Sequence, residues 1–456
     1  MRAPLLRRAL VLALVCAVMG GLFFYLLQAG TGRPLPPSLV FTDREPTDIA
    51  ELQVENARGG YVIRYQEDLG GYTLGDVPPD LIDMERFISL MVAQGRLTAK
   101  TAVTPPLAPL TDYGLAQPLA RCRIRFKDGS TLSYALGRQE PLSGDYYLQV
   151  SGREGVYTYG EQDALPLFMD AAAFISLTVT PPLTLTSPLS QVKDALFTGK
   201  QLTEPVAIHA VLGADEAIRR DALTFGAATH LIKGRGIHQL DQAGGIRVLG
   251  SLLGIRAIAV MGYNLDEAEI RSYGLHDPDM QVAFTQSRSR EEVPVVLSIR
   301  EAGGDTFYAH LQGRSLVYLI NRPAFYDLAY EDLILRYFAS PMLVDIQGFS
   351  VSAGDQRYDF TFTRNEAREA TALVNGQAVD VELFYAFYRL ITSAASDGGV
   401  IRGPEPVGQP LLEITYRYKN EQKQQDVLRF YPHAPRRLAV SVNGVIRNVP
   451  SSASVV

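Results

Sequence analysis

A six-residue turn occurs twice in this chain. Tyr113-Gly114-Leu115-Ala116-Gln117-Pro118 returns 160 positions later as Tyr273-Gly274-Leu275-His276-Asp277-Pro278. Each copy opens an alternating run, Cys122, Ile124 and Phe126 in the first and Met280, Val282 and Phe284 in the second. Each run leads to a similar Tyr-rich segment, 145–157 against 305–318. Self-similarity at one spacing marks a repeated supersecondary unit, and its limits come before any single element.

With the turn as anchor, residues 46–183 form module one. Strands are expected at 51–56, 61–65 and 71–74, with Gly59-Gly60 as a turn, then a helix capped by Asp80 with Leu81, Met84, Phe87, Ile88 and Met91 as its apolar stripe. Strands follow the Tyr113 turn around Ile124, Leu132–Leu136 and Tyr147–Val150, with Asp128-Gly129 as a hairpin signal, and a closing helix is expected over Asp163–Ile175. Module two, residues 184–341, repeats the order with strands at Val206–Val211 and Ala222–Phe225 and a closing helix over Pro323–Phe338. Its first helix starts near Asp241, with Ile246, Leu249, Leu252 and Leu253 on one face, despite Gly244, Gly245 and Gly250. Cap to turn is 33 residues in module one and 32 in module two. A diverged third module fills 342–456: Asp380 caps a helix bearing Leu383, Phe384, Phe387, Leu390 and Ile391, and Gln409-Pro410-Leu411 stands where Gln117-Pro118-Leu119 stood. The fold class expected is α+β: an N-terminal transmembrane helix, then two or three modules, each a mainly antiparallel sheet with a packed helix.

The N-terminus carries an address. Arg2, Arg7 and Arg8 precede an uncharged run, Ala9 to Leu27. At ~1.5 Å per residue it spans roughly 28 Å, enough to cross a bilayer. The arginines place the N-terminus in the cytoplasm and the bulk of the chain outside. A cleaved signal peptide is the rival reading, but the run is long and its small-x-small site poor. Residues 1–30 are thus the cytoplasmic tip and membrane anchor. Residues 31–45, with Gly32, Pro34, Pro36 and Pro37, form a stiff tether.

Composition excludes some chemistries. A formal net charge of −6 argues against a nucleic-acid partner, which needs a basic face. The six histidines, His209, His230, His238, His276, His310 and His433, lack helical metal spacing. Gly199-Lys200 lacks the preceding glycine of a phosphate loop, and Gly234-Arg235-Gly236 lacks the third glycine of a dinucleotide fingerprint. Cys16 and Cys122 cannot pair, and Cys122 is expected as a small buried hydrophobe. Asp145 and Asp305 hold equivalent places in the two copies, which favours a shared turn role over a catalytic pair. No catalytic, cofactor or metal residue is expected. The motif residues Tyr113, Gly114, Leu115 and Pro118, with Tyr273, Gly274, Leu275 and Pro278, suit a turn and plug: glycine supplies a positive φ, leucine buries and proline sets strand entry. A ligand-binding turn is the alternative.

Tandem Tyr-Gly-Leu-x-x-Pro turns, each followed by a strand, a Gly-rich turn and a Tyr-rich strand behind one anchor, resemble the bacterial envelope family catalogued as domain of unknown function 4340. The resemblance covers modules one and two and, weakly, the rest. It implies an envelope protein associated with ABC transporters of the gliding-motility type, without known catalytic residues. The leading expectation is therefore a non-catalytic accessory or substrate-engaging component of an envelope ABC transport system, with permease and ATPase partners and an unknown ligand. An extracytoplasmic ligand-binding sensor and an envelope glycan hydrolase are the alternatives.

Overall fold

The structure, a computed structural model, describes residues 39–448 other than 69, 105–107, 289–290, 366–368, 397–402, 405, 407 and 435–436. The expected anchor, Ala9–Leu27, lies outside the described residues, as does most of the tether. Among the described residues no helix is long and apolar enough to cross a membrane.

Strand alternation builds the molecule. In β5 (Ala120–Phe126) the residues Ala120, Cys122, Ile124 and Phe126 are buried, while Arg121, Arg123 and Arg125 are exposed. Successive side chains of a strand point to opposite faces, so such a segment buries one face and leaves the other in water. The other main strands of this sheet are β1 (Ile49–Asn56), β2 (Tyr61–Gln66), β3 (Gly71–Leu74), β6 (Thr131–Gln139), β7 (Tyr146–Val150) and β8 (Tyr157–Tyr159), the last buried along its whole length. With β4 (Thr101–Ala102) they form an antiparallel sheet ordered β3-β2-β1-β5-β6-β7-β8-β4.

A second antiparallel sheet contains β9 (Val192–Gly199), β10 (Val206–Ala210), β11 (His230–Lys233), β12 (Ile237–Leu240), β13 (Ala257–Tyr263), β14 (Met280–Arg288), β15 (Glu291–Gly303), β16 (Thr306–Leu311), β17 (Leu316–Asn321) and β18 (Ile334–Leu335). Its order is β13-β17-β16-β15-β14-β9-β10-β11-β12-β18. A third contains β19 (Ile346–Ala353), β20 (Gln356–Arg364), β21 (Ala370–Val374), β22 (Gln377–Val379), β23 (Gly403–Pro404), β24 (Leu412–Tyr418), β25 (Gln425–Ala434), β26 (Arg437–Val442) and β27 (Val445–Asn448), ordered β22-β21-β20-β19-β24-β25-β26-β27-β23. The fold is thus α+β with three antiparallel sheets and few helices. All three sheets follow one plan. A hairpin run leads into a helix. The first strand of the run pairs with the strand after the turn. Further strands meander outward, and a strand from the stretch after the helix (β4, β13 or β23) closes the far edge.

The chain divides into two compact units, one ending at Ser176 and one beginning at Leu177, which holds the second and third sheets. Residues 177–183, assigned by sequence to module one, are hydrogen-bonded within the second unit: Val179 N donates to Ile255 O at 2.8 Å and Ala257 N to Leu177 O at 2.7 Å.

Each sheet has one principal helix. Helix α1 (Met84–Gly95) is capped by Asp83, which accepts from Arg86 N at 3.2 Å, and not by Asp80, because Pro79–Leu81 forms a separate 3-10 turn. Its buried face is Phe87, Leu90, Met91 and Gln94, so Met84 and Ile88 of the expected stripe face solvent. In module two, Glu216–Ala222 forms a helix (α2), and Leu223–Phe225 continues as a 3-10 turn where a strand was expected. Helix α3 (Gln242–Gly250) begins at the expected cap, Asp241, whose carboxylate accepts from Gly244 N at 2.7 Å. Its glycines serve close packing: a Cβ on Gly245 would lie 2.7 Å from Leu240 Cδ2. Ile246 of its expected apolar face is exposed, while Leu249 and Leu252 are buried. Helix α4 (Glu267–Ser272) leads into the second turn. Helix α5 (Val381–Thr392), capped by Asp380, buries Phe384, Tyr388 and Ile391 in an aromatic core where Phe349 stacks on Phe360 at 4.5 Å; Leu383 and Leu390 are exposed.

The two closing helices do not form. Over 161–174 there is one helical turn, Glu161–Ala164, and two 3-10 turns, Leu165–Phe168 and Ala171–Phe174. Pro166 lacks the amide that would extend the first turn, and Asp170 caps a new start by accepting from Ala173 N at 3.2 Å. Over 323–338, two 3-10 turns precede β18.

Candidate functional site

The two hexapeptide turns have matching geometry. Gly114 has φ +70° and Gly274 φ +77°, the left-handed region that a Cβ disfavours. Gly114 N donates to Thr111 O at 3.1 Å, and Gly274 N to Arg271 O at 2.9 Å. Leu115 and Leu275 are both buried. Tyr113 meets the ring of Tyr147 edge-on at 4.9 Å, and Tyr273 meets Tyr308 edge-on at 5.0 Å. After Pro118, Leu119 N donates to Leu136 O at 2.8 Å; after Pro278, Asp279 N donates to Ile299 O at 2.9 Å; after Pro410, Leu411 N donates to Phe430 O at 2.8 Å. The residue after the proline thus starts strand pairing in all three sheets. The tyrosines differ in depth: Tyr113 is buried, with its hydroxyl accepting from Ala108 N at 3.0 Å, whereas Tyr273 is half-exposed and donates to Met261 O at 3.3 Å.

The structure brings a different set of residues together on the open face of the first sheet. A groove of ≈ 600 Å³ lies over β1, β5, β6 and β7, lined by Gln53, Glu55, Arg121, Arg123, Ser133, Gln149 and Arg153, with Cys122, Tyr134 and Val150 contributing to its lining. Strand register sets the geometry. Gln53, Arg123 and Ser133 stand in one cross-strand row, and Glu55, Arg121, Ala135 and Gln149 in the next.

The charges in this face are unequally satisfied. Arg125 shares Glu51 with Arg64, at 3.6 and 2.8 Å. The hydrogen bond from Arg64 leads the effects that hold the Glu51 carboxyl below its usual range. Glu55 stands directly across from Arg121, yet its carboxylate accepts from Gln53 Nε2 at 2.9 Å. Among the described residues no carboxylate pairs with Arg121, Arg123 or Arg153. The arginines themselves are visible in β5, alternating with Ala120, Cys122, Ile124 and Phe126; which of them meets a carboxylate among the described residues depends on the register with β1, which one strand's sequence does not state.

Cys122 is not a nucleophile in this setting. It is 3% exposed, and burial pushes its thiol up to about 12, which leaves it protonated at neutral pH. Beneath the same sheet, Tyr134 donates to Gln94 Oε1, and burial pushes the Tyr134 phenol well above its ordinary value.

The other residues singled out in the sequence are dispersed. Asp145 is buried against Lys100 Nζ at 2.6 Å, whereas Asp305 occupies a turn with φ +64° and lies 3.5 Å from Arg322. His209 pairs with Asp194 at 2.7 Å, His230 Nε2 bonds Leu189 O at 3.0 Å and His238 Nδ1 bonds Tyr330 OH at 2.9 Å. Among the described residues no group of three or more His, Cys, Asp or Glu side chains could hold a metal ion. The arrangement that remains can bind and orient an anion through guanidinium, hydroxyl and amide donors.

No family model matches the chain, and neither a curated protein nor a solved structure matches it.

Proposed function

We propose that this chain is a non-catalytic, single-pass membrane protein with its N-terminus in the cytoplasm and an extracytoplasmic ectodomain of three related modules. It serves as an accessory or substrate-engaging component of an envelope ABC transport system. The observation that carries the reading is the strand plan shared by the three sheets, joined to matching turns at Tyr113 and Tyr273. Repeated modules offer extended faces for engaging partners. The Ala9–Leu27 run and the resemblance to domain of unknown function 4340 supply the membrane and transporter parts. The groove on the first sheet is the face that meets a ligand.

The groove also favours a second reading, an extracytoplasmic ligand-binding sensor that works without a transporter. A glycan hydrolase has less support: the reaction calls for two carboxyl groups about 5–10 Å apart, and the groove lining holds one, Glu55.

The test is affinity purification of the tagged full-length chain from gently solubilised native membranes after brief crosslinking. Recovery of an ABC permease and ATPase in near-equal amounts, lost when Ala9–Leu27 is exchanged for an unrelated membrane helix, is the expected result. If no transporter component is enriched over an unrelated single-pass control, the accessory reading fails and the sensor reading takes its place.

A further inference from the structure

We propose that the open face of the first sheet is a binding site for a small ligand bearing two oxyanion groups, phosphate or carboxylate, held by Arg121 and Arg123 with Arg153 at one end. The inference rests on reading this face as the ligand-engaging surface, and it holds whether or not a transporter is the partner.

The contrast within β5 is the first argument. Three arginines alternate along the exposed face of the same strand. Arg125 is matched by Glu51, which also takes Arg64. Arg121 and Arg123 stand about 7 Å apart as same-face neighbours, and no carboxylate among the described residues is ion-paired with either. The nearest candidate, Glu55, faces Arg121 in register and is bonded to Gln53 instead. A guanidinium presents a planar fork that grips a carboxylate or phosphate through two parallel bonds, so two forks side by side suit a ligand with two such groups.

The neighbours complete the site. Ser133 stands beside Arg123 and Gln149 lies in the row of Arg121, each able to donate to a ligand oxygen. The volume of ≈ 600 Å³ lies within the range of small-molecule sites. Glu55 on β1 puts one carboxylate in the lining, which disfavours a long polyanion running across β1.

The experiment is isothermal titration of the full-length chain in detergent with inorganic pyrophosphate and, in a separate arm, with citrate. Saturable one-site binding that weakens as salt rises is expected from at least one probe; a preference for pyrophosphate assigns a phosphate ligand, and a preference for citrate a carboxylate ligand. Arg121→Gln or Arg123→Gln weakens binding tenfold or more. Arg121→Lys retains part of it, because charge survives and the fork does not. Arg64→Gln, on the same face but engaged with Glu51, leaves it unchanged. Thermal unfolding of each variant at the wild-type midpoint shows that the loss is one of binding. Absence of saturable binding by both probes, or full binding by the Arg121→Gln/Arg123→Gln double variant, overturns the proposal. The double variant taken through the affinity purification separates the two readings: lost ligand with retained transporter leaves this inference standing, and failure to recover a transporter from wild type does not touch it.

Discussion

Thr224 donates its hydroxyl to Asp426 Oδ2 at 2.9 Å, across 202 residues of chain. The bond ties the turn after α2, in the second sheet's module, to β25 in the third. Asp426 is 1% exposed and also accepts from Tyr418 OH at 2.7 Å and Asn443 Nδ2 at 2.9 Å, while Lys423 Nζ lies 3.1 Å away. A buried charge is tolerated when each of its oxygens is satisfied and a counter-charge is near. Removing one partner leaves the rest unpaired in a low-dielectric site. Asp426→Asn is therefore expected to cost about 3–5 kcal/mol, the range for breaking a buried ion pair, and Thr224→Ala about 1.5–3 kcal/mol, that for a hydrogen bond to a charged group. Urea denaturation of the second unit's transition measures both. Equal and small losses would mean that solvent reaches the carboxylate.

The same carboxylate gives stability a direction with pH. Burial pushes Asp426 upward, but Lys423, Asn443 and Tyr418 outweigh it and hold the folded value below the ordinary one. A carboxyl whose folded pKa is depressed contributes its full stability above the unfolded value, about 3.9. That contribution falls as pH drops from there through the lower folded value. Denaturation midpoints between neutral pH and pH 3 should fall at the acid end in the wild type, and this part of the slope should be absent in Asp426→Asn. A parallel acid slope in the variant would assign it to other carboxylates.

The paired turns predict unequal responses to the same substitution. Both glycines have positive φ, so alanine at either costs about 1–2 kcal/mol from backbone strain alone. At Gly114 the new Cβ would also lie 2.7 Å from Arg138 N, a backbone atom that cannot step aside. At Gly274 it would meet Arg300 Cγ at 3.3 Å, part of a flexible side chain. Gly114→Ala is expected to lose a further ~1–3 kcal/mol to overpacking. Hydrogen exchange of β6 in Gly114→Ala and of β15 in Gly274→Ala reads the difference; equal acceleration would show that the close contact at Gly114 relaxes at no cost.

Much of this architecture is legible in the sequence, because strands announce themselves locally. Cys122, Ile124 and Phe126 alternate, and so do Met280, Val282 and Phe284, and each set lies inward as that period requires. Asp241 and Asp380 mark helix starts by the same local chemistry, a side chain accepting from the third following amide. The groove is not legible in this way. That Arg125 is matched and Arg121 has no carboxylate partner among the described residues depends on how β1 registers against β5, and on Glu55 bonding Gln53 within its own strand. The closing helices fail for a related reason: Pro166 and Asp170 divide 161–174 into separate turns, and the bulky side chains Leu167 and Phe174 are buried from those turns without a helix.

Burial makes the Cys122 thiol both inaccessible and protonated. In a Cys16→Ser background, native protein at pH 8 should leave the thiol unmodified by a soluble disulfide reagent over the time in which the urea-unfolded chain reacts fully. Prompt reaction of the native protein would mean that the face beneath the groove opens readily.

Helix α1 gives the clearest separation between pattern and packing. Leu81, Met84, Phe87, Ile88 and Met91 fit a helical stripe by spacing, yet the helix turns so that Phe87, Leu90 and Met91 face the sheet while Met84 and Ile88 are 55% and 53% exposed. The cap fixes that rotation. Asp83 starts the helix one residue before Met84, and Tyr72 packs against Phe87 from β3 with ring centroids 6.0 Å apart. Phe87→Ala should therefore cost about 3–5 kcal/mol, the loss of a buried aromatic plus the cavity it leaves. Ile88→Lys, beside it in sequence and apolar in the wild type, should change stability by no more than ~0.5 kcal/mol, as an exposed substitution does. Urea denaturation followed on the first unit decides the matter: a loss from Ile88→Lys as large as that from Phe87→Ala would place the buried face where spacing alone had put it.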